Sequence, residues 1–298
     1  MCAQKIRENV GANGSTRVVM LGTGTPRPDP NRSGPATAII VNDTPYLIDF
    51  GAGVIRRATA AFEKGVTALG FAGVNIKTVF LTHMHSDHTI GYPDLVFTPW
   101  VMGRNEPLDV YGPTGITAMT EHMLKAWQVD IEGRVNGLGG HDPEGCKVNA
   151  REIAPGVVHR DRNVKVTAFS VQHGEMVDSF GYRFDTPDRA IVISGDTAPT
   201  QTLLDHSRGC DVLIHEAYSM ETHHRVSLRA QEYRRHHHTS SIELAKVAND
   251  VKPGLLVIYH RSNMGGPAES ADSEQVLLDE IRQSYAGCVV MGHDLDVF

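Results

Sequence analysis

LTHMHSDHTIGYPDL, Leu81 to Leu95, places three histidines and an aspartate within six residues, directly behind the apolar run Val79-Phe80-Leu81. A short apolar run of this kind reads as a buried strand, so the cluster stands at a strand's C-terminal end. The same composition describes a polar loop rich in histidine, and the rest of the chain has to decide between the two. His83, His85, Asp87 and His88 follow the spacing H-x-H-x-D-H. Alternating residues on an extended segment project to one side, so His83 and His85 can reach one ion together. Asp87 and His88, past the turn, point elsewhere and can serve a second. Imidazole and carboxylate suit zinc and similar borderline metals.

Three further candidates occupy the same kind of position. His173 follows the strand ending near Val171, Asp196 follows Gly195 at the end of the apolar AIVIS, and His260 ends the strongly apolar LLVIY. Active residues collect at such strand ends, where loops converge over a rigid sheet. Taken singly, Gly195-Asp196 also reads as a turn, and His173 and His260 as ordinary loop histidines. With the first cluster they make a set of seven ligand-type side chains.

Short β-branched runs at Arg17–Leu21, Thr37–Val41 and Tyr46–Ile48 come first, and Val54–Phe62 reads as a helix before the strand TVFLT. Between Trp100 and Gly145 the pattern weakens except for an amphipathic helix over Thr114–Trp127, so 100–145 reads as a lid or insertion. Strands resume at Val164–Phe169, Phe180–Phe184 and Ala190–Ser194. Thereafter helices over Thr200–His206, Ser240–Asn249 and Ser273–Ser284 alternate with strands over Val212–His215, Leu255–Tyr259 and Cys288–Met291. The order predicts an α/β fold of two sheets packed together with helices outside. It is read as a polar lead-in over 1–15 and a single domain over 16–298.

At 41% hydrophobic and 21% charged, the 298 residues can bury a sizeable core. No apolar run is long enough for a membrane span. The net charge of −7 carries no footprint for nucleic acid, and the basic residues Arg225, Arg229, Arg234 and Arg235 read as a solvated helix or loop face. The four scattered cysteines, without a CxxC pair, suggest neither a disulfide framework nor a thiolate zinc site. The N-terminus lacks the apolar core of a secretory signal and reads as cytoplasmic. A leader already removed would look the same, which leaves a periplasmic or exported location open.

HxHxDH followed by a later histidine, a GDT and a final histidine resembles the metallo-β-lactamase superfamily. VVMLGTGTPRP (Val18 to Pro28), HEAYS (His215 to Ser219), HHHTSS (His236 to Ser241) and VIYHRSN point to its tRNase Z and arylsulfatase branch. The resemblance runs from about Thr16 to the C-terminus. It implies an αββα sandwich of two mixed sheets holding two zinc ions, with manganese or iron as alternatives. His83, His85 and His173 would hold the first ion, Asp87, His88 and His260 the second, and Asp196 would bridge them. Two such ions can lower the pKa of a shared water and clamp attacking and leaving oxygens. Glu216 and His238 match the residues that assist proton transfer, and Asp87 is counted with them as well as among the ligands. Independently, Ser240-Ser241-Ile242-Glu243 is a capping box, which puts His238 just before a helix N-terminus, where an anion is favoured.

In Gly22-Thr23-Gly24 the chain begins like a dinucleotide fingerprint, but Arg27 stands where the third glycine belongs and Pro26, Pro28 and Pro30 forbid a helix there. The loop is expected instead to wall the metal cleft, with Arg27 or Arg32 available to an anion. Trp100, Met102 and Trp127 are apolar candidates for another wall, with Trp127 the stronger core candidate.

Members of the family that process tRNA use a long arm between the positions matching His173 and Asp196, whereas only 22 residues separate them here. From that and the acidic charge, tRNA processing is expected to be excluded. The expected substrate is a small anionic sulfate or phosphate ester, as for an arylsulfatase or phosphodiesterase, with a lactonase or β-lactamase as the alternative. No nucleic-acid partner is expected; a homodimer is possible from the resemblance, since dimers are common in the branch, but no self-complementary surface is legible in the sequence.

Overall fold

The computed structural model describes residues 16–262 and 271–298, so the lead-in over 1–15 lies outside the described residues. β1 (Thr16–Gly22), β2 (Ala36–Val41) and β3 (Thr44–Ile48) form an antiparallel meander. The β2–β3 turn is Asn42-Asp43, both with positive φ (47° and 61°), as a two-residue hairpin turn requires. β4 (Thr78–Phe80), β5 (Leu108–Gly112) and β6 (Val148–Glu152) then add in parallel. Parallel neighbours need crossovers. These are α1 (Val54–Glu63), α2 (Ser86–Thr89) with α3 (Tyr92–Val101), and α4 (Ile116–Ala126) with α5 (Gln128–Asn136).

The second sheet repeats the plan. β7 (Gly156–Arg160), β8 (Lys165–Ser170), β9 (Phe180–Asp185) and β10 (Ala190–Ile193) are antiparallel neighbours. β11 (Val212–Ala217), β12 (Leu255–Arg261) and β13 (Val289–Met291) follow in parallel. Between them run α6 (Gln201–Ser207), α7 (Met220–His224), α8 (Leu228–His237), α9 (Ser241–Val251) and α10 (Ala271–Arg282).

Alternation along the strands builds three apolar layers. In β1, Val18 and Met20 face the other sheet while Val19 and Leu21 face the first sheet's helices. In β12, Leu255, Val257 and Tyr259 point between the sheets, and Leu256 and Ile258 point to α6, α9 and α10. Because both faces are covered, these strands read as continuous apolar runs. Phe298 is buried between the sheets, and its backbone exchanges hydrogen bonds with Val18 at 2.8 and 2.9 Å, which covers the β1 edge. Two mixed sheets flanked by helices are the expected αββα arrangement.

Two sequence readings change. Segment 100–145 is no simple insertion, because it supplies β5, an internal strand of the first sheet. Cys146 and Cys210 are buried free thiols, but Cys288 is disulfide-bonded, a pairing the scattered spacing does not suggest. Among the described residues, no helix is long and apolar enough to cross a membrane.

Gly51, three residues beyond β3, shows how tightly the strand ends pack. A Cβ there would lie 2.4 Å from the Gly34 carbonyl carbon and 2.5 Å from the Asp87 carbonyl oxygen. Gly51→Ala is therefore expected to cost about 1–3 kcal/mol of stability through overpacking, read as a lower urea midpoint. It should also reduce retained metal, because Asp87 has to shift.

Candidate metal centre

β1, β3, β4, β8, β10, β11 and β12 end at one rim of the sandwich, where their following residues converge. His83, His85 and His173 form one cluster, with His85 Nδ1 3.0 Å from both His83 Nε2 and His173 Nε2. Asp87, His88 and His260 form a second, with His260 Nε2 3.1 Å from Asp87 Oδ2 and His88 Nε2 3.6 Å from the same oxygen. Asp196 lies between them. Its Oδ1 is 3.3 Å from His260 Nδ1 and 3.6 Å from His88 Nε2, while Oδ2 is 4.0 Å from His173 Nε2.

This donor set fits divalent metal. Two ligands of one tetrahedral zinc, each about 2.0–2.1 Å away, lie roughly 3.3 Å apart, close to the spacing of the first cluster. In the second, His88 Nε2, His260 Nδ1 and Asp196 Oδ1 are buried without a hydrogen-bond partner, although they face one another. Orphaned polar atoms are rare in folded interiors, and a cation among these three would satisfy all of them.

Outer hydrogen bonds aim the rings. His173 Nδ1 donates to the His237 carbonyl (2.7 Å) and His88 Nδ1 to Asp49 Oδ2 (2.8 Å). The Thr82 hydroxyl donates to Asp49 and accepts from His83 Nδ1 at 3.0 Å. Each ring therefore turns Nε2 inward. Asp49 also accepts the Thr82 N–H at 2.8 Å. Sequence reasoning missed Asp49, although the signal was present: it directly follows the apolar Tyr46-Leu47-Ile48, just as Asp196 follows its own strand.

Backbone strain marks two of these positions. Asp49 (φ 59°) and His260 (φ 42°) adopt left-handed conformations that cost a non-glycine residue energy. The β11–β12 register shifts between Glu216 and Ala217, so His260 is the extra residue of a bulge, a device that re-aims a side chain.

Burial drives His173 down to about 4 and, with the neighbouring His88, holds His83 well below the usual imidazole range. Both rings therefore present lone pairs. Burial opposes charge on His88 as well, but Asp49, Asp196 and Asp87 outweigh it and raise that ring well above its ordinary value. Asp196 is held well below the usual carboxylate range, because His260 and His88 overcome its burial.

His238 stands beside the first cluster, its ring 5.3 Å from His173, and its Nδ1 lies 3.2 Å from Glu216 Oε1. Glu216 is buried and also accepts the Thr239 N–H at 3.0 Å. Burial pushes its carboxyl up, against the pull of His238. The capping box of α9 is present. However, the N–H groups of Thr239, Ser240, Ser241 and Glu243 are all taken by Glu216, Glu243, Tyr218 and Ser240. The helix start thus positions His238 and offers an anion little of the free N–H array that the capping motif suggests.

The cluster opens into a cavity of about 310 Å³ lined by Thr25, Pro26, Arg27, His85, Asp87, His173, Asp196, His238, His260 and Ser262. Of the two arginines expected at this wall, Arg27 reaches it. Arg32 is instead tied to Thr23 Oγ1 (2.7 Å), the Gly292 carbonyl (3.2 Å) and Glu274. None of the three apolar candidates lines the cavity. Trp100 is a core residue, whereas Met102 and Trp127 are 48% and 39% exposed, so the expected core role of Trp127 is reversed.

Comparison with known proteins extends this picture. The family described as Beta-lactamase superfamily domain matches residues 44–261. A protein named Ribonuclease Z from Mycobacterium sp. (strain KMS) is 32% identical over 263 residues, 86% of this chain and 87% of its own. Another of that name from Mycobacterium bovis (strain BCG / Pasteur 1173P2) is 29% identical over 284 residues, 93% of this chain and 96% of its own. Among solved structures, the metallo-beta-lactamase fold protein YhfI from Bacillus subtilis superposes with a TM-score of 0.70 at 17% identity, covering 95% of this chain and 99% of that one. The short form of human tRNase Z gives 0.65 at 20% identity, covering 95% and 98%.

These relatives overturn the expected small sulfate or phosphate ester, its lactonase alternative and the exclusion of nucleic acid. The missing arm does not discriminate, because the Mycobacterium bovis protein aligns along nearly its whole length without a long insertion that this chain lacks. A net charge of −7 also says nothing about where the cations lie.

Two outcomes check the geometry. Asp49→Ala should lower metal affinity about 10- to 100-fold, the usual effect of losing an outer partner, measured by competition with a chromophoric chelator. Glu274 also binds His293 Nε2 at 2.9 Å. Hydrogen bonds to Asp296 and Glu274 raise His293 to about 9. Glu274 is lowered to about 2, because His293 and the arginines outweigh its burial. The raised histidine stabilises fully below its unfolded value of 6.5, and this is lost as pH climbs through about 9. The lowered carboxylate stabilises above 4.5 and fails as pH falls toward 2. In His293→Asn the alkaline decline in the urea midpoint should flatten.

Proposed function

Because the chain belongs to the beta-lactamase superfamily, in the branch that holds its ribonuclease Z relatives, we propose that it is a metal-dependent hydrolase of RNA phosphodiester bonds. Precursor tRNA is the substrate class to test first. One observation carries the choice of RNA, the likeness to ribonuclease Z along most of the chain. Every residue of the centre, from Asp49 to His260, falls inside the matched segment 44–261, and His85, Asp87, His173, Asp196 and His260 line one cavity.

His83, His85 and His173 would hold one divalent ion, and Asp87, His88 and His260 a second, with zinc the best fit to these donors. Asp196 would bridge them, since its two oxygens face different clusters. Two such ions, when bound, supply Lewis acidity that neutralises phosphoryl oxygens and eases deprotonation of water.

The chain's own residues handle the leaving group. His238 donates Nδ1–H to Glu216, which leaves Nε2 for the cavity. A proton held there passes to the departing ribose oxygen as the phosphorus–oxygen bond breaks. Glu216 fixes the ring and compensates the charge of its doubly protonated form. Asp87, at the cavity wall, would serve as a ligand of the second ion.

The test is cleavage of a labelled precursor tRNA carrying a 3′ trailer by metal-replete protein. Site-specific cleavage is expected, with His238→Ala reducing kcat by about 10²- to 10⁴-fold at unchanged metal content. Asp196→Ala should lose metal and activity together. An intact precursor after prolonged incubation with zinc, manganese or iron would remove the RNA-hydrolase reading.

A further inference from the structure

α8 carries chemistry that the metal centre does not use. Segment 220–237 holds four arginines and four histidines against two glutamates. Arg234 is buried over the Tyr218 ring and Arg225 pairs with Glu221, while Arg229 and Arg235 are exposed. It ends immediately before His238. Within α8, residues four apart share a face. One such row is Arg229, Tyr233 and His237, rising about 6 Å per step toward the cavity.

The row is graded. Arg229 is exposed and forms no ion pair among the described residues. Tyr233 is partly exposed, and its ring stacks on His237 with centroids 3.8 Å apart and planes 15° from parallel. The same ring lies 6.0 Å from His238. His237 in turn lies 5.2 Å from His173, and its carbonyl accepts from His173 Nδ1. Burial, followed by the carboxylates of Asp196 and Asp87, raises the Tyr233 phenol, which places that side chain within the electrostatic reach of the centre. Proteins that hold single-stranded nucleic acid combine cations for the backbone with aromatic faces for the bases, and this row offers one of each beside the reacting site.

We propose that the Arg229–Tyr233 row of α8 is the surface that grips single-stranded RNA beside the cleavage site, Arg229 holding a backbone phosphate and Tyr233 stacking on a base. This rests on the RNA-hydrolase reading and adds to it a grip that requires no inserted arm. Arg235 is also exposed, but it lies two residues from Tyr233 on another face of α8, 3.4 Å from His223 Nε2, and is outside the row.

The experiment uses the full-length, metal-replete chain and the same labelled precursor tRNA, with kcat and KM measured across a series of salt concentrations. Arg229→Glu and Tyr233→Ala are each expected to raise KM about tenfold with kcat changed less than twofold. Arg229→Ala should shallow the salt dependence of binding by about 0.7 to 0.9 in slope, the contribution of one phosphate contact. Stacking needs the ring and not the hydroxyl, so Tyr233→Phe should restore the KM lost in Tyr233→Ala. The ratio of kcat/KM on the tRNA to that on bis(p-nitrophenyl) phosphate should fall in Arg229→Glu and Tyr233→Ala. An unchanged KM in both variants, or an equal loss on the small diester, overturns the grip while leaving RNA hydrolysis standing. A wild-type chain that neither binds nor cuts the precursor overturns both.

Discussion

A carboxylate withdrawn from water needs positive charge around it, and this fold buries Asp49 and Asp196 fully and Asp87 largely, within reach of six imidazoles. That concentration of opposite charge is the constraint on which the rim depends. The carboxylates that His88 and His260 face raise both rings above their ordinary range against the effect of burial, while three buried atoms still lack hydrogen-bond partners. A divalent ion answers both demands at once, which is why the donor set reads as a metal centre and not as a network of salt bridges.

The sandwich exists to hold those groups against their own repulsion and strain. Asp49 and His260 sit in left-handed backbone that would relax in a loose loop. They persist because β3 and β12 are internal strands buried on both faces, and because Gly51 lets the neighbouring backbone approach to contact distance. Asp49 links the two layers of the problem: one carboxylate orients His88 directly and His83 through Thr82, coupling both ligand clusters to one strand end.

Substrate choice lies outside this machinery. The ligand set is common to a superfamily of hydrolases, so the centre sets the reaction and the surfaces beside it set what is cut. Net charge misled on this point because it averages over the whole chain, whereas binding depends on where cations lie. Of the arginines that read as a solvated face in sequence, Arg234 is instead buried over the Tyr218 ring, and the exposed Arg229 gains a role to test only because it shares a helix face with Tyr233, 6.0 Å from His238.

Sequence alone determined much here. The apolar runs fixed at strand spacing, the βα alternation of the second half and the strand-end positions of His83, His85, Asp87, His88, His173, Asp196 and His260 are local patterns that survive without coordinates, because side-chain period and turn chemistry are local physics. The helix expected over Thr114–Trp127 is α4, whereas β5 and α5 were illegible, since neither shows a clear periodicity of its own. Tertiary structure alone decided that Asp49 stands behind the ligands, that Arg27 and not Arg32 reaches the cavity, and that Trp127 lies at the surface while Trp100 is core. The strand-end position of Asp49 is visible in one dimension, but its contacts with His88 and Thr82, like the other two outcomes, depend on which residue meets which across a long loop of chain, and a one-dimensional pattern does not record such encounters.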